Sequence, residues 1–156
     1  WHYQQIALGY NYRMTDLQAA LGLSQIQRLD EFVARRHVLA NRYNKLLAEL
    51  PVVAPWQHLD SYSAVHLYVI RLKLGEVAKT HRAVFQSLRV ADIGVNLHYI
   101  PVYCQPYYAD LGFIKAGLCP EAEQYYLEAI SLPMYPALTE AQQDQVVAAL
   151  RMAMSI

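Results

Sequence analysis

Cysteine is scarce in this chain of 156 residues: Cys104 and Cys119 are the only two. They form neither a Cys-x-x-Cys pair nor the multi-bridge framework of a small secreted domain, so a reducing cytoplasm is the expected setting. An excess of charge of one sign is lacking too, because thirteen basic and thirteen acidic residues cancel. Without a net positive field, neither a nucleic-acid backbone nor an anionic membrane is an expected partner. No apolar run reaches the length of a membrane span. The six histidines and two cysteines show no metal-ligand spacing. The six glycines build no phosphate-cradling loop, and no nucleophile elbow is present. Metal-centred and hydrolase chemistry are set aside. An initiator Met is missing as well. The chain opens Trp1-His2-Tyr3 without the basic-then-apolar layout of a signal peptide, and so reads as a fragment that starts inside a longer protein.

What is present suffices for one ordinary soluble domain, with 55% apolar and 17% charged residues. Thr15-Asp16-Leu17-Gln18 has the form of a capping box, in which the Thr hydroxyl and the Gln amide satisfy two orphan backbone donors at a helix start. From there Leu17, Ala20, Leu21, Leu29, Phe32, Val33, Arg36, Ala40, Tyr43, Leu46, Leu47 and Leu50 recur at three- and four-residue steps. The spacing predicts one long helix over 15–50, straight or broken, stopped by Pro51. Residues 65–72 have strand composition, apolar on both faces. Residues 77–91 read as a helix with Gly94 at its exit turn, 95–100 as a second strand stopped by Pro101, and 129–132 as a third. A second capping box, Thr139-Glu140-Ala141-Gln142, opens a closing helix through Met154. The expected class is α/β in the broad sense, a two-layer α+β domain with a long connecting helix and a small, mainly antiparallel sheet carrying helices on one face.

The period of two in 95–100 places Asn96, His98 and Ile100 on one face and Val95, Leu97 and Tyr99 on the other. A solvated edge strand and a polar ligand-facing strand both fit that pattern. The segment Pro101-Val102-Tyr103-Cys104-Gln105-Pro106-Tyr107-Tyr108 favours the second. A proline-stiffened loop of amphipathic rings offers stacking area and hydroxyls at little cost in entropy. Asn11 can donate an amide hydrogen to a phosphate oxygen without adding charge, or can serve as a turn residue. Arg13 is read as a partner for Asp16, and His66 as a satisfied core or subunit-contact histidine.

The segment Gly9-Tyr10-Asn11-Tyr12-Arg13 resembles the Gly-x-Asn-x-Arg segment of the DegT/DnrJ/StrS-type sugar-nucleotide aminotransferases, which are pyridoxal-phosphate enzymes of fold type I. Gly94 to Tyr103 is similar to the His-Tyr-x-Pro segment of that family. Together with Glu121-Ala122-Glu123, Ser131-Leu132-Pro133-Met134 and the closing helix, the likeness covers nearly the whole chain. It is nearest to the branch that aminates UDP-linked 4-keto sugars in pseudaminic acid biosynthesis. The resemblance implies that Asn11 reaches the cofactor phosphate of a partner subunit in a homodimer. It also implies that Asn11, Asn96, Leu97, His98 and Tyr99 line the substrate site.

By the same resemblance, residues 1–14 are the end of a large cofactor-binding domain, 15–50 a connecting helix and 51–156 the small C-terminal domain. Transamination on pyridoxal phosphate needs a lysine for the Schiff base. Lys45, Lys73, Lys79 and Lys115 all lack the family's Ser-x-x-x-Lys context, so that lysine is expected upstream and this stretch alone is expected to be inactive. The expectation is transfer of an amino group, by family habit from glutamate, to the 4-keto group of a UDP-linked 4-keto-6-deoxy amino sugar. A pyridoxamine-dependent dehydratase of the same family and a non-catalytic dimerisation or ligand-binding module are the competing readings.

Overall fold

The computed structural model describes Tyr10, residues 12–113 and residues 117–155. Asn11 and Lys115, named above, lie outside the described residues. The first capping box forms as expected: Thr15 Oγ1 accepts the Gln18 amide at 3.3 Å and Gln18 Oε1 accepts the Thr15 amide at 3.0 Å. It opens helix α1, Asp16–Ile26. The helical run then breaks instead of continuing to residue 50. At the break the backbone bond shortens to three residues, Arg28 N–H to the Gln25 carbonyl, and Arg28 leaves helical geometry at φ −107° and ψ 10°. Helix α2, Leu29–Leu46, begins there, and its side buries Leu39, Ala40 and Tyr43. By contrast α1 buries nothing against the described residues, so no packing holds the two helices in line. The end comes at Leu46, ahead of Pro51, with Leu47 and Leu50 folded back into the core.

Three antiparallel strands follow: β1 (Val52–Val53), β2 (Tyr68–Leu72) and β3 (Ala129–Leu132), with β2 in the centre. No residue pattern announces β1, which pairs only Val52 with Leu72 and Val53 with Arg71. The expected strand from residue 65 starts three residues late. Val65 stands at φ 47°, outside extended geometry, and the carbonyls of Val65 and His66 accept from Arg36. Pairing sets the two faces of the sheet. Tyr68 opposes Leu132 and Ile70 opposes Ile130 on the inner face, where all four are buried. Val69 opposes Ser131 and Arg71 opposes Ala129 on the other.

Helix α3, His81–Val90, starts at the Thr80 cap and lies against α6, Glu140–Met154, whose capping box at Thr139 and Gln142 also forms as expected. Asp92, at φ 60°, takes the left-handed position after α3 that was expected of Gly94. Val84, Leu88, Val146, Val147 and Leu150 join Tyr43, Tyr68 and Ile70 in one core on the inner face. Each such buried aliphatic side chain contributes about 1.5–3 kcal/mol. Between β2 and β3 run the one-turn helix α4 (Pro106–Tyr108) and helix α5 (Pro120–Glu128). Helix α5 meets the outer face through Arg71, whose Nη2 lies 2.7 Å from Glu128 Oε2. The architecture is thus of the expected α+β class, a small antiparallel sheet with α2, α3 and α6 packed on one face, and α5 is the addition on the other. Among the described residues no helix is long and apolar enough to cross a membrane.

Candidate ligand site on the outer face of the sheet

The expected strand over 95–100 shrinks to a single antiparallel bridge between Asn96 and Ser131. Leu97 N–H is taken locally by Asn96 Oδ1 at 2.8 Å, and Pro101 has no amide to offer. The bridge still aligns the side chains. Asn96 opposes Ser131 on the outer face, where His98 Nδ1 lies 2.6 Å from Ser131 Oγ and His98 Nε2 lies 3.4 Å from Asn96 Nδ2. Asn96, His98 and Ser131 border a cavity of about 490 Å³, which Tyr135 and, from α6, Gln142 and Gln145 also line. Its lining is polar but neutral at these positions, apart from Asp92 at the margin.

The five residues expected at a substrate site separate in the structure. Asn96 and His98 meet at the cavity. Leu97 turns the other way and packs against the hydrophobic core, so its side chain is not part of the lining. Tyr99 is 71% exposed and lies beyond the lining, edge-to-face against His98 with ring centroids 4.6 Å apart. Asn11 lies outside the described residues. A larger hollow, about 990 Å³, runs beside the first half of α2 and is bordered by Arg28, Phe32, Arg36 and His66. Its Arg36 is already engaged, donating to the carbonyls of Val65, His66 and Met134 at 3.0, 3.0 and 3.1 Å. His66, read as a core or contact residue, sits on the wall of that hollow and not at the site.

The aromatic loop downstream of His98 is held by Glu123 of α5. The carboxylate accepts the Tyr103 hydroxyl at 2.7 Å and the Gly117 amide at 2.9 and 3.0 Å. These bonds, the phenol's first, hold Glu123 below the usual carboxylate range. Desolvation, then the bond to Glu123, pushes Tyr103 up to about 12. Gly117 stands at φ 85°, a backbone conformation that favours glycine. Tyr107 and Tyr108 stack edge-to-face further along the loop.

Ser131 and Glu123 were not singled out from the sequence as site residues. For Ser131 a signal existed: it is the one polar residue in the apolar strand Ala129–Leu132, and a buried hydroxyl requires a partner. For Glu123 the signal was absent, since its partners lie in a loop of irregular structure. Among the described residues no cluster of histidine, cysteine and carboxylate groups could hold a metal ion.

Comparison with known proteins gives a consistent result. The profile of the DegT/DnrJ/EryC1/StrS aminotransferase family matches residues 1–151. The spore coat polysaccharide biosynthesis protein SpsC of Bacillus subtilis is 37% identical over 97% of this chain, which spans 39% of SpsC. Among solved structures, Spr1654 of Streptococcus pneumoniae in its PLP form superposes with a TM-score of 0.88 at 26% identity, over 99% of this chain and 39% of that protein. Helicobacter pylori PseC, an aminotransferase involved in the biosynthesis of pseudoaminic acid, gives 0.85 at 25% identity, over 97% of this chain and 40% of PseC.

Proposed function

The chain belongs to the DegT/DnrJ/EryC1/StrS aminotransferase family, and from that membership we propose that it is the C-terminal part of a pyridoxal-phosphate sugar-nucleotide aminotransferase. In this reading residues 1–14 close a large cofactor-binding domain, 15–50 connect the domains and 51–156 form the small one. The intact protein is a cytoplasmic homodimer with shared active sites. It passes an amino group from glutamate to the 4-keto group of a UDP-linked 4-keto-6-deoxy amino sugar, in pseudaminic acid or other surface-glycan synthesis. The likeness to PseC and SpsC supports that substrate class.

The observation that carries the reading is the convergence of Asn96 and His98 on one cavity at the outer face of the sheet. An amide and an imidazole suit hydroxyl and carbonyl groups of a sugar. The described residues do not fit as the covalent holder of the cofactor. None of Lys45, Lys73 and Lys79 lines the cavity, and Lys73 is 3.8 Å from Glu76 in an exposed ion pair. The reading therefore assigns the Schiff-base lysine to the part of the protein upstream, and to this chain the binding and orientation of the sugar nucleotide. Asn11 contacts the cofactor phosphate of the partner subunit, and Tyr99 adds a ring and a hydroxyl at the mouth.

The test is kinetic, in the intact protein with a 4-keto UDP-sugar and glutamate. Asn11→Ala and His98→Gln are each expected to raise the KM for the sugar nucleotide or to lower turnover. Unchanged constants in both variants would remove the site assignment. Loss of the keto sugar without amine formation, with histidine in place of the upstream lysine, would give the dehydratase reading instead.

A further inference from the structure

We propose that Ser131 is the positioning residue that holds His98 as the ring protonated at Nδ1 only, so that Nε2 accepts one hydrogen of the Asn96 amide and fixes that amide at the border of the ligand cavity. The inference rests on the reading above only for what the second amide hydrogen recognises. The tautomer itself follows from a chain of three contacts.

The chain starts at a backbone amide, whose role is fixed. Leu97 N–H donates at 2.8 Å to the side chain of Asn96, so the Asn96 atom it meets is the carbonyl oxygen, Oδ1. The Asn96 amide nitrogen, Nδ2, is then the atom that faces His98 Nε2, at 3.4 Å. Nδ2 carries only donors, and two donors do not face one another at this distance. Nε2 is therefore the unprotonated nitrogen, and the single ring proton of the neutral imidazole sits on Nδ1. From there it is donated to Ser131 Oγ, 2.6 Å away.

Ser131 is suited to receive it. The residue is 4% exposed and sits in the strand paired with β2. Its amide donates to the Asn96 carbonyl at 2.9 Å, and its carbonyl accepts the Asn96 amide at 3.3 Å. The backbone bridge that carries Asn96 thus also fixes the hydroxyl that orients His98. A hydroxyl can accept one hydrogen and still donate its own, so it tolerates this role where a buried apolar side chain leaves Nδ1–H without a partner. The consequence at the cavity is an oriented donor. Nε2 has one lone pair, which the first Asn96 amide hydrogen occupies, and the second amide hydrogen is left for an acceptor oxygen of a ligand, such as a sugar hydroxyl or carbonyl.

Ring-nitrogen NMR of the intact, ligand-free protein labelled with 15N-histidine tests this, with His98→Gln to assign the signals. The expected wild-type pattern at neutral pH is a neutral ring with the proton on Nδ1. Ser131→Ala is expected to move His98 toward the Nε2-protonated form, and Ser131→Thr, which keeps the hydroxyl, to retain the wild-type pattern. With substrate, Ser131→Ala is expected to raise KM for the sugar nucleotide about five-fold, with kcat little changed and with recovery in Ser131→Thr. An Nε2-protonated or doubly protonated ring in the wild type overturns the proposal, as does a pattern unmoved by Ser131→Ala. If the NMR pattern holds while neither His98→Gln nor Ser131→Ala changes KM, the tautomer stands and the substrate reading above fails.

Discussion

The Glu123 carboxylate accepts the Tyr103 hydroxyl at 2.7 Å and so ties α5 to the aromatic loop that follows His98. The same carboxylate holds the Gly117 amide, closing the far end of that loop. One side chain thus fixes two segments, 101–105 and 117–119, whose own secondary structure is slight.

Glu123→Gln is expected to loosen this loop. The amide keeps the size of the carboxylate but not its charge, so both the phenol and the Gly117 amide lose a charge-assisted acceptor. Because Glu123 is held below its ordinary value of 4.5, its contribution is present above that pH and is lost as pH falls beneath it. The hydrogen-exchange protection of 101–105 and 117–119 in the intact protein, taken against the intrinsic exchange rate at each pH, should therefore fall in acid for the wild type. In Glu123→Gln that protection should be low already at neutral pH and nearly independent of pH. An acid response that persists in the variant assigns it to another group.

Arg36 joins two loops to α2 through the carbonyls of Val65 and His66 in one and Met134 in the other. Arg36→Met keeps most of the stem and removes the guanidinium, leaving those carbonyls without their donor. The expected loss is about 2 kcal/mol, read by chemical denaturation. Arg36→Lys should recover only part, because an ammonium is a single point and not a fork. Full recovery by lysine shows that charge alone, not geometry, is what Arg36 supplies.

How far the fold was legible depended on whether its cause is local. The capping boxes at Thr15 and Thr139 are written in four residues each, and both form as read. The closing helix and β3 also match. A break in the helical run over 15–50 was among the forms expected, but its place at Arg28 and the late start of β2 were not legible, because they depend on tertiary partners: the burial of α2 and the Arg36 bonds to the loop before Tyr68. At the site, the shared face of Asn96 and His98 followed from a period of two, although the strand that implied it is one bridge long. Leu97 was carried there by family likeness alone and packs into the core. Ser131, thirty-three residues from His98, comes beside it only through the sheet.

Two buried phenols set an alkaline limit on stability. Tyr43 and Tyr68 are both 0% exposed and their rings lie 5.0 Å apart. Desolvation raises both well above the ordinary value of 10. A raised value means that the folded state holds the proton more tightly, so the stability is present below pH 10 and is lost as pH rises beyond it. The wild type should lose denaturant resistance above pH 10. The double variant Tyr43→Phe, Tyr68→Phe should lose less there, while costing about 1 kcal/mol per hydroxyl at neutral pH, where the bonds to the Pro133 carbonyl and Asn44 Oδ1 are gone. Parallel alkaline curves for the two proteins exclude these phenols as the cause.

Asn96→Asp distinguishes the hydrogen-bond direction at the site from its mere presence. A carboxylate has the shape of the amide and still accepts the Leu97 amide, so with Asn96 exposed the fold should change in stability by no more than about 0.5 kcal/mol. Towards His98, however, the donor Nδ2 becomes an oxygen that only accepts, so the bond to Nε2 reverses and the amide hydrogen left for the ligand is lost. The sugar-nucleotide KM of the variant should rise about five-fold at neutral pH, and ring-nitrogen NMR should find a proton on Nε2. A variant whose KM matches the wild type shows that the Asn96 amide hydrogen does not meet the substrate.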